Sequence, residues 1–553
     1  MAVMGVKQVV LFLLLVMVMT IRTVSGDHYH PDDLERRPER LQRNPDSFNT
    51  AELSASFWKD NAKAGLERRL RDIKNENVAR NVIMFLGDGM SIPTLMAART
   101  LKGQRENRTG EESELFFETF PTVGLSKTYC LNEQIPDSAC TATAYLTGVK
   151  SNYGTIGVDG SVRRRDCLAS TDKTTHLDSI AAWALEDGRD AGIVTTTRVT
   201  HASPAGTYAR TANRGWENDA QVAANGFSTD VCPDIAMQLV TTSPGNKFKV
   251  ILGGGRREFI NETMVDEEGF NGRRTDGRNL IEEWQNDKSA RKFTQQYVWN
   301  RSQLMSLRNS PPDYLLGLFE SSHLDYNIRS DKMTEPTLAE LTEVAINSLS
   351  RNDKGYFLFV EGGRIDHAHH DNRPQRALDE TIEFDLAIKK AAEMVGDDTL
   401  IVVTADHAHV MAVNGYSQRG SNILGRSDDK GDDGIRYMTL SYTNGPGTRQ
   451  QVNGSRVDVT EENFMAQNWR THAEVILDSE THGGDDVAVL AWGPHHHLFT
   501  GVYEQSHIPF RMAYAACIGP GLHADACSSA ALLHPLCLLY AVTLSILHRV
   551  FLR

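Results

Sequence analysis

Six short runs of β-branched and large apolar residues recur along the chain, at 81–86, 192–195, 249–252, 356–360, 400–403 and 487–490. Their apolar positions are nearly continuous rather than alternating, the pattern of strands covered on both faces. Between the fourth and fifth runs, Ala377, Leu378, Ile382, Leu386, Ile388, Ala391 and Val395 recur at helical spacing. This spacing predicts a helix of about twenty residues joining strand to strand. The chain therefore reads as α/β: a doubly wound, mostly parallel central sheet with helices on both faces. Two stretches break the pattern. Residues 266–279 are rich in Gly, Arg and acids, and residues 414–478 are rich in Gly, Asn and Asp, so the second is expected to be a smaller subdomain inserted near the C-terminus. No fixed-period repeat is present, which excludes solenoids and propellers.

The two ends are not part of that fold. Lys7, the apolar run 9–19 and the small residues Val24-Ser25-Gly26 form a secretory leader over residues 1–26. The run is too short for a spanning anchor, which needs ~20 apolar residues. At the other end, Ser528, Ser529 and Ala530 precede a second apolar stretch, 536–547, the layout of a glycosylphosphatidylinositol (GPI) attachment signal with a removed tail at 529–553. A tail-anchored helix is the alternative, and either outcome tethers the protein to a membrane. The mature folded domain is then expected at 27–528, on the extracellular face of the cell membrane, lipid-linked to the outer leaflet. Asn107, Asn261, Asn300 and Asn453 each begin an Asn-x-Ser/Thr glycosylation signal.

Composition narrows the partners. Lys plus Arg number 58 against 72 Asp plus Glu, a net charge of −14. Loss of Lys7, Arg22, Arg549 and Arg553 with the ends takes the charge from −14 to −18. So acidic a surface repels nucleic acid unless something local reverses the field. Cysteines number seven, and removal of Cys537 with the tail leaves an even six.

The chemistry collects where the strands end. Leu86 is followed by Gly87-Asp88-Gly89, and Val360 by Glu361 and then Arg364-Ile365-Asp366-His367-Ala368-His369-His370. Val403 is followed by Asp406-His407-Ala408-His409, and the run near Thr197 leads to His201-Ala202-Ser203. Ligands of open α/β sheets bind beyond the carboxyl ends of strands, so these four ends are expected to meet in one crevice. Mixed Asp, His and Glu donors without thiolates suit zinc in a hydrolytic role, with an all-oxygen subset suiting magnesium. Asp366 and His370, four apart, share one face of a helical turn. Taken alone, Asp88-Gly89 reads equally well as a plain turn, and the histidine run as an exposed one. His495-His496-His497 is expected at the surface, since no carboxylate or strand end frames it.

The remaining motif is Ile135-Pro136-Asp137-Ser138-Ala139-Cys140-Thr141-Ala142-Thr143. Small residues after Ser138 let a helix pack closely, with Ser138 at its anion-favouring N-terminus. At this nonapeptide the sequence resembles the alkaline phosphatases, in their animal, membrane-anchored branch, and the resemblance extends from about Asn81 to Cys527. It implies that Ser138 is the nucleophile and that Arg214 grips two phosphate oxygens. It further implies two zinc sites, one from Asp88, Asp406 and His407 and one from Asp366, His370 and His482. A magnesium site from Asp88, Ser203 and Glu361 follows, with His201 and His367 beside these ligands. A calcium site maps to the Phe319 carbonyl, Glu320, Glu335 and, across an insertion, Glu268. The implied activity is hydrolysis of small phosphate monoesters with broad specificity through a phosphoserine, in a homodimer.

The resemblance also implies bridges Cys167–Cys232 and Cys517–Cys527. Cys130 and Cys140 remain, and four cysteines allow three connectivities. Two alternatives stay open: a sulfatase or phosphodiesterase on the same metal scaffold, which would lack the Ser138, Arg214, Ser203 and Glu361 combination, and a tethered binding protein retaining the fold.

Overall fold

The computed structural model describes residues 50–527 apart from 73, 450, 452, 453, 525 and 526. The leader, the tail, Ser528 and Asn453 lie outside the described residues. The chain divides into two units, Met1–Asn61 and Ala62–Arg553. The described part of the first is a 3-10 turn, Thr50–Leu53, and the opening of helix α1 (Ala55–Leu70), where Trp58 Nε1 donates to the Glu52 carbonyl at 2.8 Å.

The second unit is built on a ten-stranded sheet. Its strands are β1 (Asn81–Gly87), β2 (Thr122–Lys127), β3 (Asp190–Arg198), β4 (Val250–Gly254), β5 (Gln295–Val298), β6 (Tyr314–Leu318), β7 (Tyr356–Gly362) and β8 (Thr399–Thr404). After β8 the chain forms β9 (Ala408–His409), β10 (Met411–Val413), β11 (Arg426–Lys430), β12 (Arg436–Met438), β13 (Leu440–Gly445), β14 (Ala473–Ile476) and β15 (His482–Gly483). β16 (Val487–Trp492) and β17 (Gly501–Glu504) return to the large sheet, whose order is β17-β2-β16-β8-β1-β7-β3-β4-β6-β5. Only β16 runs against the others. All six apolar runs of the sequence are strands of this sheet. The mostly parallel, doubly covered architecture is as expected.

The covering explains the continuous hydrophobicity. Every residue of β1, β7 and β8 is buried. Alternate side chains of β1 enter opposite layers. Val82, Met84 and Leu86 pack with Tyr145 and Phe359, while Ile83 and Phe85 pack with Leu341 and Phe384. The helices that matter for the site are α2 (Ile92–Arg105), α3 (Ser138–Thr147), α4 (Ala202–Ala205), α5 (Leu338–Leu349), α6 (Arg364–His370) and α7 (Pro374–Met394). Helix α3 lies in the first layer and α2, α5 and α7 in the second. The twenty-one residues of α7 realise the predicted connection between β7 and β8.

Residues 414–478 hold the small pairs β11–β12 and β13–β14, with β13 also joined to β10. The 266–279 segment is stapled by Arg274, which is wholly buried and forks onto both Asp234 oxygens at 3.0 Å. The histidine run departs from expectation: His495 and His496 are buried, because β16 delivers them straight into a 3-10 turn where His496 Nδ1 meets Thr122 Oγ1 at 2.7 Å. No helix among the described residues is long and apolar enough to cross a membrane.

Candidate active site and metal centre

The four predicted strand ends belong to neighbours, in the order β8-β1-β7-β3. Register aligns them: Leu86 sits beside both Glu361 and Thr404, and Glu361 beside Thr195. Asp88, Glu361, Asp366, Asp406 and His407 therefore leave the sheet at one level, and all are buried. Asp88-Gly89 is more than a turn. Gly89 has φ +67, and a Cβ there would lie 2.3 Å from the His409 ring, so only glycine lets that ring close on the strand end.

Helix α3 presents Ser138 at its first position. Asp137 caps it, accepting from Cys140 N at 3.3 Å, and the same Oδ1 accepts from Gly154 N at 2.9 Å. The other oxygen, Oδ2, holds Arg214 Nη1 at 3.0 Å, and Arg214 Nη2 lies 3.3 Å from His201 Nε2. Gly206 explains the run of small residues after Ser138. A Cβ there would sit 2.7 Å from Ala142, so helices α3 and α4 approach almost backbone to backbone and bring Ser203 toward the nucleophile's helix. Ser138 Oγ is 3.3 Å from His407 Nε2.

Three donor clusters adjoin this serine. In the first, Asp366 Oδ1 faces His370 Nε2 at 3.3 Å and His482 Nε2 at 3.4 Å, while those two nitrogens are 3.2 Å apart. Their Nδ1 atoms are occupied: His370 meets the Glu480 carbonyl at 2.5 Å and His482 the Pro136 carbonyl at 2.7 Å. Each Nδ1 must be the donor to its carbonyl, so in neutral rings both Nε2 atoms would turn lone pairs toward each other and toward a carboxylate. Such an arrangement calls for a cation, and the carbonyl contacts are the outer partners that orient metal-binding imidazoles. In the second cluster, His407 Nε2 lies 3.1 Å from Asp406 Oδ2 and 3.5 Å from Asp88 Oδ1. The third brings Asp88 and Glu361 together with His201, next to Ser203 in the short helix that His201 begins.

The buried polar atoms have too few partners. Both Asp88 oxygens, Glu361 Oε1, Asp406 Oδ2, Ser203 Oγ and His201 Nδ1 are enclosed without a hydrogen bond among the described residues. So many unsatisfied donors of oxygen and imidazole type are costly unless a cation gathers them. Burial and the carboxylates of Asp406, Asp366 and Glu361 push Asp88 well above the usual carboxylate range, and burial lifts Glu361 to about 7. Burial holds His407 well below 6.5, in the neutral form that binds metal. The donor sets, carboxylate, imidazole and hydroxyl without thiolate, fit divalent metal ions.

The remaining predicted residues separate into two groups. His201 and His367 flank the third cluster, their ring centroids 5.5 Å apart. Burial, reinforced by Arg364, drives His367 down to about 3. Glu268, Glu320 and Glu335 form a distinct acidic cluster after β6, where Phe319 ends the strand run. Burial followed by Glu320 lifts Glu335 to about 9 and Glu268 to about 7, and the guanidinium of Arg256 is 2.6 Å from Glu268. A hard divalent cation would relieve this repulsion.

Sequence reasoning missed several residues. His409 sits between Asp366, 2.7 Å from Nε2, and Glu480 at Nδ1. Burial would lower it, but Glu480 and Asp366 win and raise it to about 10, so in the metal-free site it is a cation between two carboxylates. Its signal was the His-x-His pattern at 407–409. Asp137, Thr195 and Thr197 were also missed; the two threonine hydroxyls donate to Glu361 Oε2 and leave Oε1 alone for a ligand. His323 completes a group with His201 and His367, 4.3 Å from the latter. Three disulfides close: Cys167–Cys232, Cys517–Cys527 and Cys130–Cys140.

Similarity to known proteins points to one family. A family model described as alkaline phosphatase matches residues 79–518. The membrane-bound alkaline phosphatase of Bombyx mori is 60% identical over 540 residues, 96% of each chain. The tissue-nonspecific isozyme of Felis catus is 46% identical over 487 residues, 87% of this chain and 91% of that one. Among solved structures, the alkaline phosphatase of the Antarctic bacterium TAB5 superposes with a TM-score of 0.55 at 19% identity, over 80% of this chain and 99% of that one. That of Thermus thermophilus gives 0.56 at 23% identity, over 80% and 92%. These two bear on the fold alone.

Proposed function

Because the chain belongs to the alkaline phosphatase family, we propose a route by which it hydrolyses phosphate monoesters: two successive displacements at phosphorus, the first by Ser138. The observation that carries this is Ser138 Oγ at a buried helix N-terminus, 3.3 Å from His407, at the meeting point of three donor clusters. Asp88, Asp406 and His407 would hold one zinc, Asp366, His370 and His482 the other, and Asp88, Ser203 and Glu361 magnesium. When bound, these ions supply Lewis-acid charge that lowers the serine pKa and stabilises negative charge on the entering and leaving oxygens.

The protein's own groups do the rest. Arg214 lays its planar fork along two phosphoryl oxygens, and Asp137 holds that fork from behind at 3.0 Å. Free N–H groups at the start of α3 add favourable dipoles. Ser138 Oγ gives its proton to solvent water and bonds to phosphorus as the ester oxygen departs with its electron pair and takes one proton back from solvent, so the protons balance. A water then attacks the phosphoserine from the vacated side, freeing inorganic phosphate and restoring the hydroxyl. Two inversions give net retention at phosphorus. Recognition falls on the phosphoryl group, so the alcohol is weakly selected and specificity is broad.

Arg214→Lys separates this reading from a purely structural arginine. A lysine is a point charge that cannot grip two oxygens. We expect KM for a chromogenic monoester to rise about tenfold or more, equivalent to ~1.4 kcal/mol, with inhibition by inorganic phosphate weakened in parallel; unchanged KM and phosphate inhibition would remove Arg214 from the site.

Glu268, Glu320, Glu335 and the Phe319 carbonyl would bind calcium. The mature protein would run from 27 to 528 as a homodimer with 414–478 appended. A GPI lipid would hold it to the outer leaflet, a reading supported by the membrane-bound Bombyx mori relative. Treatment of intact membranes with a phosphatidylinositol-specific lipase should release the activity; retention on the membrane would contradict the lipid anchor.

A further inference from the structure

The Cys130–Cys140 bridge spans ten residues and encloses the nucleophile segment. Within it, residues 131–135 are all exposed, so no side-chain burial fixes their path. Beyond them come three consecutive residues on which the site depends. The Pro136 carbonyl accepts from His482 Nδ1 at 2.7 Å. Asp137 holds Arg214 and Gly154, and Ser138 carries the reactive hydroxyl. The few anchors of the exposed run are peripheral, such as Leu131 N to the Ser151 carbonyl at 3.0 Å and Tyr153 N to Asn132 Oδ1 at 2.8 Å. Both sulfurs, by contrast, are buried. Cys130 anchors the end of the segment that leaves β2, and Cys140 sits in the first turn of α3.

We propose that the Cys130–Cys140 disulfide is a positioning device for catalysis: one covalent clip fixes the outer partner of the metal-facing His482, the carboxylate behind Arg214, and the nucleophile. The inference rests on the roles proposed above for Ser138, Arg214 and His482. Its energetic logic is separable from ordinary stabilisation. In the chain-entropy view a disulfide acts on the unfolded chain according to loop length. Cys517–Cys527 closes a loop with the same separation of 10, far from the nucleophile in sequence. The two bridges should therefore contribute alike to stability and differ in what they do to the site.

The test uses the full-length metal-loaded enzyme and two double variants, Cys130→Ala/Cys140→Ala and Cys517→Ala/Cys527→Ala. Rates of inactivation by a chelator, phosphate inhibition and Tm are measured on each. Loss of an outer-shell partner typically weakens metal binding about 10–100-fold. The first variant should lose activity to chelator about tenfold faster than the parent and bind phosphate more weakly. The second should match the parent in both, while Tm falls by a similar amount in the two. Equal chelator rates in both variants, or no change in the first, would overturn the inference. If the first variant does not fold, insertion of Gly-Gly between Glu133 and Gln134 with both cysteines kept slackens the same clip. It should speed chelator inactivation, and an unchanged rate would again overturn the claim. Phosphate labelling of Ser138 in the parent distinguishes the two levels. Its absence would refute the nucleophile, whereas labelling with unchanged chelator rates would refute only the clip.

Discussion

Ser138→Ala should lower kcat for monoester hydrolysis by about 10³-fold or more, while leaving the fold and metal content intact. The expected size follows from removing the hydroxyl at the first position of α3; a lost nucleophile in enzymes with covalent intermediates costs about 10⁶ at the extreme. Here the residual rate reflects direct attack by water in a site that still binds phosphate. The side chain is small and buried, so alanine leaves little cavity, and Asp137 still caps α3 through Cys140 N. Weak phosphate inhibition should survive, since Arg214 remains held by Asp137. Monoester turnover at the parent rate would refute covalent catalysis by this residue.

The second large effect is expected at Asp88. Both its oxygens are buried without hydrogen bonds among the described residues, and it belongs to two donor clusters at once. Asp88→Asn keeps the size but removes the charge and one acceptor. Its expected result is loss of metal from more than one site, read as metal content per chain, with kcat down about 10³-fold on the scale of single catalytic groups. The sign of the pH effect is fixed by the shifts. Asp88 is held well above the ordinary carboxylate range by burial and by Asp406, and Glu361 sits at about 7, so the metal-free site carries protons that cations must displace. Metal uptake by the parent should therefore release protons and tighten as pH rises, and the variant should release fewer. Full metal content and parent activity in Asp88→Asn would contradict the shared-ligand account.

Much of this was legible before any coordinates. The six apolar runs became strands because a sheet covered on both faces needs no polar alternation, as the wholly buried β1, β7 and β8 demonstrate. Of the strands that escaped notice, Gln295–Val298 alternates exposure at the rim and Thr122–Lys127 buries one face only, whereas Tyr314–Leu318 is wholly buried but short and interrupted by Gly317. Candidate site residues were legible where a carboxylate or imidazole followed a strand. What remained hidden was relational. His409 carries a signal in the His-x-His pattern, yet the carboxylates that set its charge, Glu480 and Asp366, lie seventy-one and forty-three positions away. Asp137 reads as a helix cap, and only the fold brings Arg214 to its free oxygen, seventy-seven positions away. The 495–497 histidines looked superficial because the turn that buries them follows an antiparallel strand whose neighbour, β2, had no strong apolar signal.

The central claim, that phosphate passes through Ser138, is tested most directly by mass spectrometry of the acid-quenched metal-loaded enzyme after exposure to a phosphate monoester. The account predicts one phosphoryl group on the peptide containing Ser138, absent in Ser138→Ala. Continued hydrolysis with no phosphate on that peptide, or phosphate carried on another residue, would contradict it.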